Sequence, residues 1–319
     1  MSITAGTNVN EAAATAAATA WNFTKFRKEV EATAPGYSSA QPFPHAVFRD
    51  MLNLDPSAME SFPAAEWPSW TELGDTYQFK KFTCSNIEVI PDPFRKLIRE
   101  LCDPSFLRLL EQLTGIPKLI PDPYLKGGGL HMSGPGGVLA PHTDFHLYEP
   151  LALYRRINVL VYLNDDWEES FGGCLELGDP KNPAKTVVPG WGTTMVFSTD
   201  NRSIHGFPKP IVEGRWRKSI ALYYYTAEET KEFGGDTTTA WRTHGEHHGV
   251  VNKSRLGLYK GLNQTSKAVS LAAHLVNPNQ GTEWWRMRKE RLAKENGSAG
   301  YERPSAAGHE DHDHEDHEH

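Results

Sequence analysis

Apolar positions along the 319-residue chain change their period twice, and the two changes bracket a β-rich centre. Phe94, Leu97, Ile98 and Leu101 fall at i, i+3, i+4 and i+7, and Phe106, Leu109, Leu110 and Leu113 repeat the spacing, so two core-facing helices are predicted. Asp92-Pro93 and Asp103-Pro104 each offer an N-cap acid before a proline in the first helical position, and Gly115 and Pro117 stop the second helix. An earlier helix is expected from Trp21 to about Glu31. Residues 35–75, rich in proline and aromatics, predict irregular packed coverage. After Pro123 the runs LHMS, GVLAPH, INVLVYL, GGCLEL, TTMVF and SIALYYYT alternate with Gly, Pro, Asn and Asp. Strands that short and closely spaced predict a sandwich or jelly roll rather than βαβ units. Residues 254–293 read as helical again. The expected fold class is therefore α+β, a jelly-roll core over about 124–227 flanked by N- and C-terminal helices. It forms a single domain over 21–300, between a low-complexity N-terminus (1–20) and a disordered His/acid-rich tail (301–319).

Charge narrows the partners. A net charge of −7 gives no basic surface for nucleic acid, although part of it sits in the tail. No apolar run approaches the roughly 18–20 residues a membrane helix needs. The N-terminus has neither a basic region nor an apolar stretch of the secretory kind, and its first arginine is Arg27. Cys84, Cys102 and Cys174 are odd in number and widely spaced, as reduced thiols are in a cytoplasmic protein, the expected location. Neither GxGxxG nor GxxxxGK[ST] occurs, so nucleotide folds find no support.

The chemistry gathers in three places. His142 and Asp144, in the run Pro141-His142-Thr143-Asp144, share one face of an extended chain and can both point at one metal. His205, in SIHGFP after the strand TTMVFST, supplies a second imidazole. Two imidazoles and a carboxylate occupy one face of an octahedral ion and leave three positions open, as a non-heme Fe(II) oxygenase requires. An HxD pair alone is weak evidence in a chain of 14 histidines. The third place adds weight: Arg217 and Ser219 share strand parity at the head of IALYYYT, and an inward guanidinium there can grip a carboxylate with two parallel hydrogen bonds. Arg215 has the same parity and is the alternative.

With these residues in hand, the segment from about Gly128 to Thr226 resembles the 2-oxoglutarate/Fe(II) dioxygenases, in their prolyl-4-hydroxylase-like branch. The resemblance lies in GPGGVLAPHTD (Gly134 to Asp144), RRINVLVYLN (Arg155 to Asn164), FGGCLEL (Phe171 to Leu177), HGFPKP (His205 to Pro210) and RKSIALYYYT (Arg217 to Thr226). It implies a double-stranded β-helix with His142, Asp144 and His205 as iron ligands. It further implies Arg217 on the distal carboxylate of the cosubstrate 2-oxoglutarate, O₂ as oxidant, and Asn158 facing the cosubstrate. Family members often carry a tyrosine where this chain has Ser133; His131, on the same face, is the candidate to contribute instead. Asp144 is the residue that halogenating relatives lack, so the implied activity is hydroxylation, with release of succinate and CO₂.

Other features carry less. His146 extends the motif to HTDFH and suits a role beside the ligands or in the substrate pocket. Tyr148, Arg155 and Arg156 are expected near the mouth, and Tyr223, Tyr224 and Tyr225 are expected to pack on both faces of their strand. HGEHH (244–248) lacks the zinc-protease order, and the tail histidines suit loose metal binding. Two rivals stay open: a cupin-like metalloenzyme doing non-oxidative chemistry, and a jelly-roll binding module. A small-molecule substrate is favoured, since no long charged docking groove is evident; a polypeptide stays open, as does oligomeric state.

Overall fold

The computed structural model of the chain describes residues 19–75, 77–228, 239–241 and six positions between 258 and 272. The chain divides into two compact units, 1–248 and 249–319. In the second, the described residues Leu258, Gly261, Leu262, Thr265, Val269 and Ala272 are helical, within the helix expected over 254–293. Residues 1–18, the HGEHH cluster and the His-rich tail lie outside the described residues.

The first unit runs α1 (Phe23–Tyr37), β1 (His45–Phe48), a 3-10 turn (Pro56–Ser61), β2 (Thr71–Leu73), β3 (Gln78–Cys84), α2 (Asp92–Leu101) and α3 (Pro104–Thr114). There follow β4 (Ile120–Pro121), β5 (Gly129–Thr143), β6 (Leu147–Tyr148), β7 (Leu153–Tyr162), β8 (Leu175–Asp179), β9 (Asn182–Val187), β10 (Thr194–Ser198), β11 (His205–Phe207), β12 (Arg217–Thr226) and β13 (Ala240–Trp241). Local chemistry explains the helix ends. Asp103 caps α3 by accepting from the Ser105 N–H at 2.7 Å, and Gly115 closes it in the left-handed region at φ 72°. Asp92 departs from expectation. It is the first residue of α2 rather than its cap, its carboxylate is paired with Arg95 one turn on, and Pro91 holds the cap position. Helix α1 outlasts its expected end at Glu31 and carries Pro35 in its last turns; Phe26, Val30 and Tyr37 are buried along it, so tertiary packing extends the helix. Within the stretch expected to be irregular, His45–Phe48 forms a strand by pairing with β10.

The strands order β1-β10-β7-β12-β5-β11-β8-β9, all antiparallel, with β3 added beside residues 130–139 of β5 and β13 beside its end. The 15-residue β5 joins the two halves: residues 129–133 lie between β12 and β3, whereas 139–143 pair with β11 and β13. Alternation then assigns each side chain a face. Ile157, Val159 and Val161 of β7, Val196 of β10 and Ile220, Leu222 and Tyr224 of β12 face outward, where Phe94, Leu97, Phe106 and Leu110 of α2 and α3 cover them. On the inner face Tyr162, Met195 and Phe197 meet Leu175 and Leu177, closing the curled sheet at one side of its interior. The architecture is the expected jelly roll, helix-backed on one face.

Candidate active site

His142, Asp144 and His205 reach one point from two strands. His205 of β11 pairs directly with His142 of β5, which brings the two rings to 4.4 Å between centroids. Asp144 follows two residues after His142, just beyond the strand end, and its carboxylate lies 3.5 Å from the Nε2 of each histidine. The three ligand atoms all fall within 4.8 Å of one another.

Hydrogen bonds decide the tautomers. Nδ1 of His142 donates to the Ala140 carbonyl (2.8 Å) and Nδ1 of His205 to the Ser203 carbonyl (2.9 Å). A carbonyl only accepts, so both Nδ1 atoms carry a proton, and in the neutral tautomer both Nε2 atoms present lone pairs. Burial, with His142 beside it and against the pull of Asp144, pushes His205 down to about 4, keeping it neutral. Burial alone would raise Asp144; the Arg155 guanidinium beside it instead holds it well below the usual carboxylate range. Two lone pairs and an anion thus converge with no hydrogen between them, which repels unless a cation sits at their focus. The donor set fits a divalent metal that accepts imidazole and carboxylate.

Asp144 is held from behind. Its Oδ2 accepts from the Asn158 amide at 2.7 Å and lies 3.0 Å from Arg155 Nη2, while Arg155 Nε donates to Asn158 Oδ1 at 2.8 Å. Arg155 is 1% exposed, and its guanidinium lies 3.3 Å from the centroid of the Tyr223 ring. Expected at the mouth, Arg155 instead lies inside, because a register shift between Ile157 and Arg155, opposite Tyr224 and Tyr225, breaks the alternation of β7 and turns Arg155 inward, while Arg156 donates to Thr226. Trp241 of β13 stacks against His142 at 4.7 Å, a neighbour that no local sequence signal announces.

The cavity before this cluster has a volume of about 220 Å³. Asn158, His131, Ser133 and Arg217 all line it, whereas Arg215 lies outside, its guanidinium 4.1 Å from the Phe171 centroid. Arg217 is buried, donates from Nε to the Gly173 carbonyl at 2.8 Å and lies against Tyr162 and Phe207. Gly173 is required there: at φ 65° it bends the chain toward Arg217, and a Cβ would come within 3.2 Å of Arg217 Cδ. No acid among the described residues lies within ion-pair distance of Arg217. His131 is buried, its Nε2 has no hydrogen-bond partner among the described residues, and burial beside Lys81 and Arg217 pushes it down to about 3. His146 is buried and does not line the cavity. Tyr223 lines it, while Tyr224 faces the helices and donates to the Leu101 carbonyl.

A jelly roll whose interior holds two imidazoles and a carboxylate, beside a buried guanidinium with no acid on it among the described residues, has the donor set of a facial-triad metal site. Similarity to known proteins carries this further. Residues 128–225 match the model of the 2OG-Fe(II) oxygenase superfamily. Prolyl 3-hydroxylase OGFOD1 of Mus musculus is 30% identical over 203 residues, 62% of this chain but 33% of that protein. The Xenopus laevis protein of the same name is 29% identical over 77 residues, 22% of this chain and 15% of its own. The chain thus spans a third or less of these curated relatives. Among solved structures, a Trichoplax adhaerens prolyl hydroxylase in complex with a hypoxia-inducible-factor peptide shares 14% identity at a TM-score of 0.48, over 66% of this chain and 94% of its own. A Pseudomonas putida prolyl-4-hydroxylase shares 16% at 0.44, over 61% and 98%. Among the described residues no helix is long and apolar enough to cross a membrane.

Proposed function

We propose that the chain is an Fe(II)- and 2-oxoglutarate-dependent oxygenase that hydroxylates an unactivated C–H bond, with His142, Asp144 and His205 as the iron ligands and Arg217 on the far carboxylate of 2-oxoglutarate. The observation that carries the reading is the convergence of two carbonyl-locked imidazoles and one carboxylate, in the same cavity as a buried guanidinium that no acid of the described residues neutralises. When bound, the metal and cosubstrate together couple O₂ to substrate oxidation, with release of succinate and CO₂. The chain's own part is orientation and shielding. The Ala140 and Ser203 carbonyls hold both rings in the ligating tautomer. Asn158 and Arg155 hold the Asp144 carboxylate through Oδ2. Arg217, with Ser219 two residues on, presents donors at the other end. A non-oxidative metalloenzyme has no use for a buried guanidinium without an acid at that place, which sets the oxygenase reading ahead of it.

For the substrate, both curated relatives are named prolyl 3-hydroxylases. That likeness supports one projecting group, such as a prolyl ring of a polypeptide, over the free small molecule that the sequence alone favoured. Succinate release driven by proline-containing peptides, against free amino acids, separates the two.

The test is an anaerobic titration of the full chain with Fe(II) and then 2-oxoglutarate, following the weak visible band of an iron-bound 2-oxo acid. The parent should develop the band, His142→Ala should lose it, and Arg217→Ala should require far more 2-oxoglutarate. His142→Ala also corrects for iron taken up by the tail histidines. Iron uptake at the His142 site without any band overturns the oxygenase reading in favour of the non-oxidative one.

A further inference from the structure

Strand β3 lies outside the segment that matches the superfamily model, yet it delivers a cation into the same cavity. Its pairing with β5 is irregular. Gln78 and Phe79 oppose Leu139 and Val138, whereas Lys81 opposes Ser133, and between them Lys80 adopts φ 50°, a left-handed backbone rare for a residue with a Cβ. The irregularity has a consequence for parity. Gln78, Lys81 and Thr83 all line the cavity, while Phe79 and Lys80 are exposed. In a regular strand Gln78 and Lys81, three apart, face opposite sides; the bulge re-aims Lys81 inward.

The rung at which it arrives is the one that matters. Ser133 of β5 pairs with Lys81 on one side and with Arg217 of β12 on the other. Neighbouring strands lie about 4.8 Å apart, so two long cationic side chains flank one small residue on a single inward-facing rung. On the next rung inward lie Thr83, His131 and Ser219, all lining the cavity. Neither Lys81 nor Arg217 has an acid within ion-pair distance among the described residues. Asp144, the one carboxylate among the described residues lining the cavity, already has Arg155 beside it. Two such cations on one rung, Arg217 buried and Lys81 partly buried, are costly unless an anion joins them. Burial, together with Arg217 and Arg155 and against the pull of Asp144, lowers the Lys81 amine to about 8, so it is charged at neutral pH.

We propose that Lys81 and Arg217 together clamp the far carboxylate of 2-oxoglutarate, with Ser133 leaving room for that carboxylate between them. The inference rests on the oxygenase reading above and adds a second anchor from an accessory strand. Arg217 offers its two terminal nitrogens from β12, Lys81 its ammonium from β3, and each approaches the carboxylate from its own side of β5.

The test measures binding to the full chain loaded with Mn(II), by calorimetry, so no turnover is needed. The ligands are 2-oxoglutarate and 2-oxopentanoate, which ends in a methyl group in place of the far carboxylate. Lys81→Met should weaken 2-oxoglutarate by about 10–100-fold and leave 2-oxopentanoate within about twofold, with Lys81→Arg restoring most of the loss. Unchanged Mn(II) affinity shows that the site still folds; if methionine disturbs it, Lys81→Gln replaces it under the same criteria. Equal weakening of both ligands, or unchanged 2-oxoglutarate affinity in Lys81→Met while Arg217→Met loses it, overturns the clamp and leaves the oxygenase reading standing. Failure of the parent to bind 2-oxoglutarate at all removes both.

Discussion

The two faces of strand β12 belong to different problems. Ile220, Leu222 and Tyr224 point outward into a dry layer under α2 and α3, with Phe106 stacked among Trp21, Phe26 and Tyr224. Arg217, Ser219 and Tyr223 point inward and line the cavity, where charge is concentrated and not every polar group has a partner. The outer face satisfies the rule that interiors are apolar and close-packed. The inner face breaks it, with a guanidinium on Asp144 and two further cations on the Ser133 rung. Stability is therefore concentrated on one side of the sheet and chemistry on the other, and mutations on the two faces should separate cleanly.

The largest effect on stability is expected from the outer face. Phe106→Ala removes a fully buried ring and should cost about 3–5 kcal/mol of unfolding free energy in urea titrations, with Mn(II) affinity per folded molecule unchanged. A loss of metal affinity with it would show that the faces are coupled. Arg155→Leu, on the inner face, should do the reverse. It keeps apolar contact with Tyr223 but takes the nearest cation from Asp144, and metal affinity should fall by roughly 10–100-fold. The same change raises the Asp144 carboxyl toward its ordinary range, so metal binding should be lost at a higher pH than in the parent.

A smaller effect concerns pH. The Lys81 amine is protonated below about 8 and loses its charge as pH rises through that value, so 2-oxoglutarate affinity should decline above pH 8. Because a bound carboxylate favours the charged amine, the decline should end at the higher pKa of the complex, and Lys81→Met should be flat over that range. The smallest effect is expected at Arg215→Ala. That side chain stacks on Phe171 outside the cavity, so stability should change by less than about 0.5 kcal/mol and cosubstrate affinity not at all. A large loss there would move the carboxylate contact from Arg217 to Arg215.

Much of the fold is written in local pattern. The 3.6-residue apolar spacing of 94–101 and 106–113, with Asp103 and Gly115 at the ends of the latter, determined two helices and the face each buries, because capping and amphipathicity are local. The short alternating runs after Pro123 determined a β-rich core, and the match of residues 128–225 to the 2OG-Fe(II) oxygenase superfamily agrees with the resemblance carried by HTD, HGF and RKS. Parity within one strand also placed His142 on one face and Arg217 beside Ser219. Register across strands is a different matter. That His205 lies opposite His142, that Arg155 is the residue behind Asp144, and that Trp241 stacks on His142 all depend on which strands pair and how far each is shifted. Residues 63 positions apart carry no mark of that in their own neighbourhood. Lys81 shows it most plainly. Its strand falls where the sequence pattern predicts no element, and only the bulge at Lys80 and the pairing with Ser133 turn it toward Arg217. Sequence periodicity determined which faces are apolar; the long-range hydrogen-bond register of β3, β5, β11 and β12, which no local pattern encodes, decided which charges meet inside.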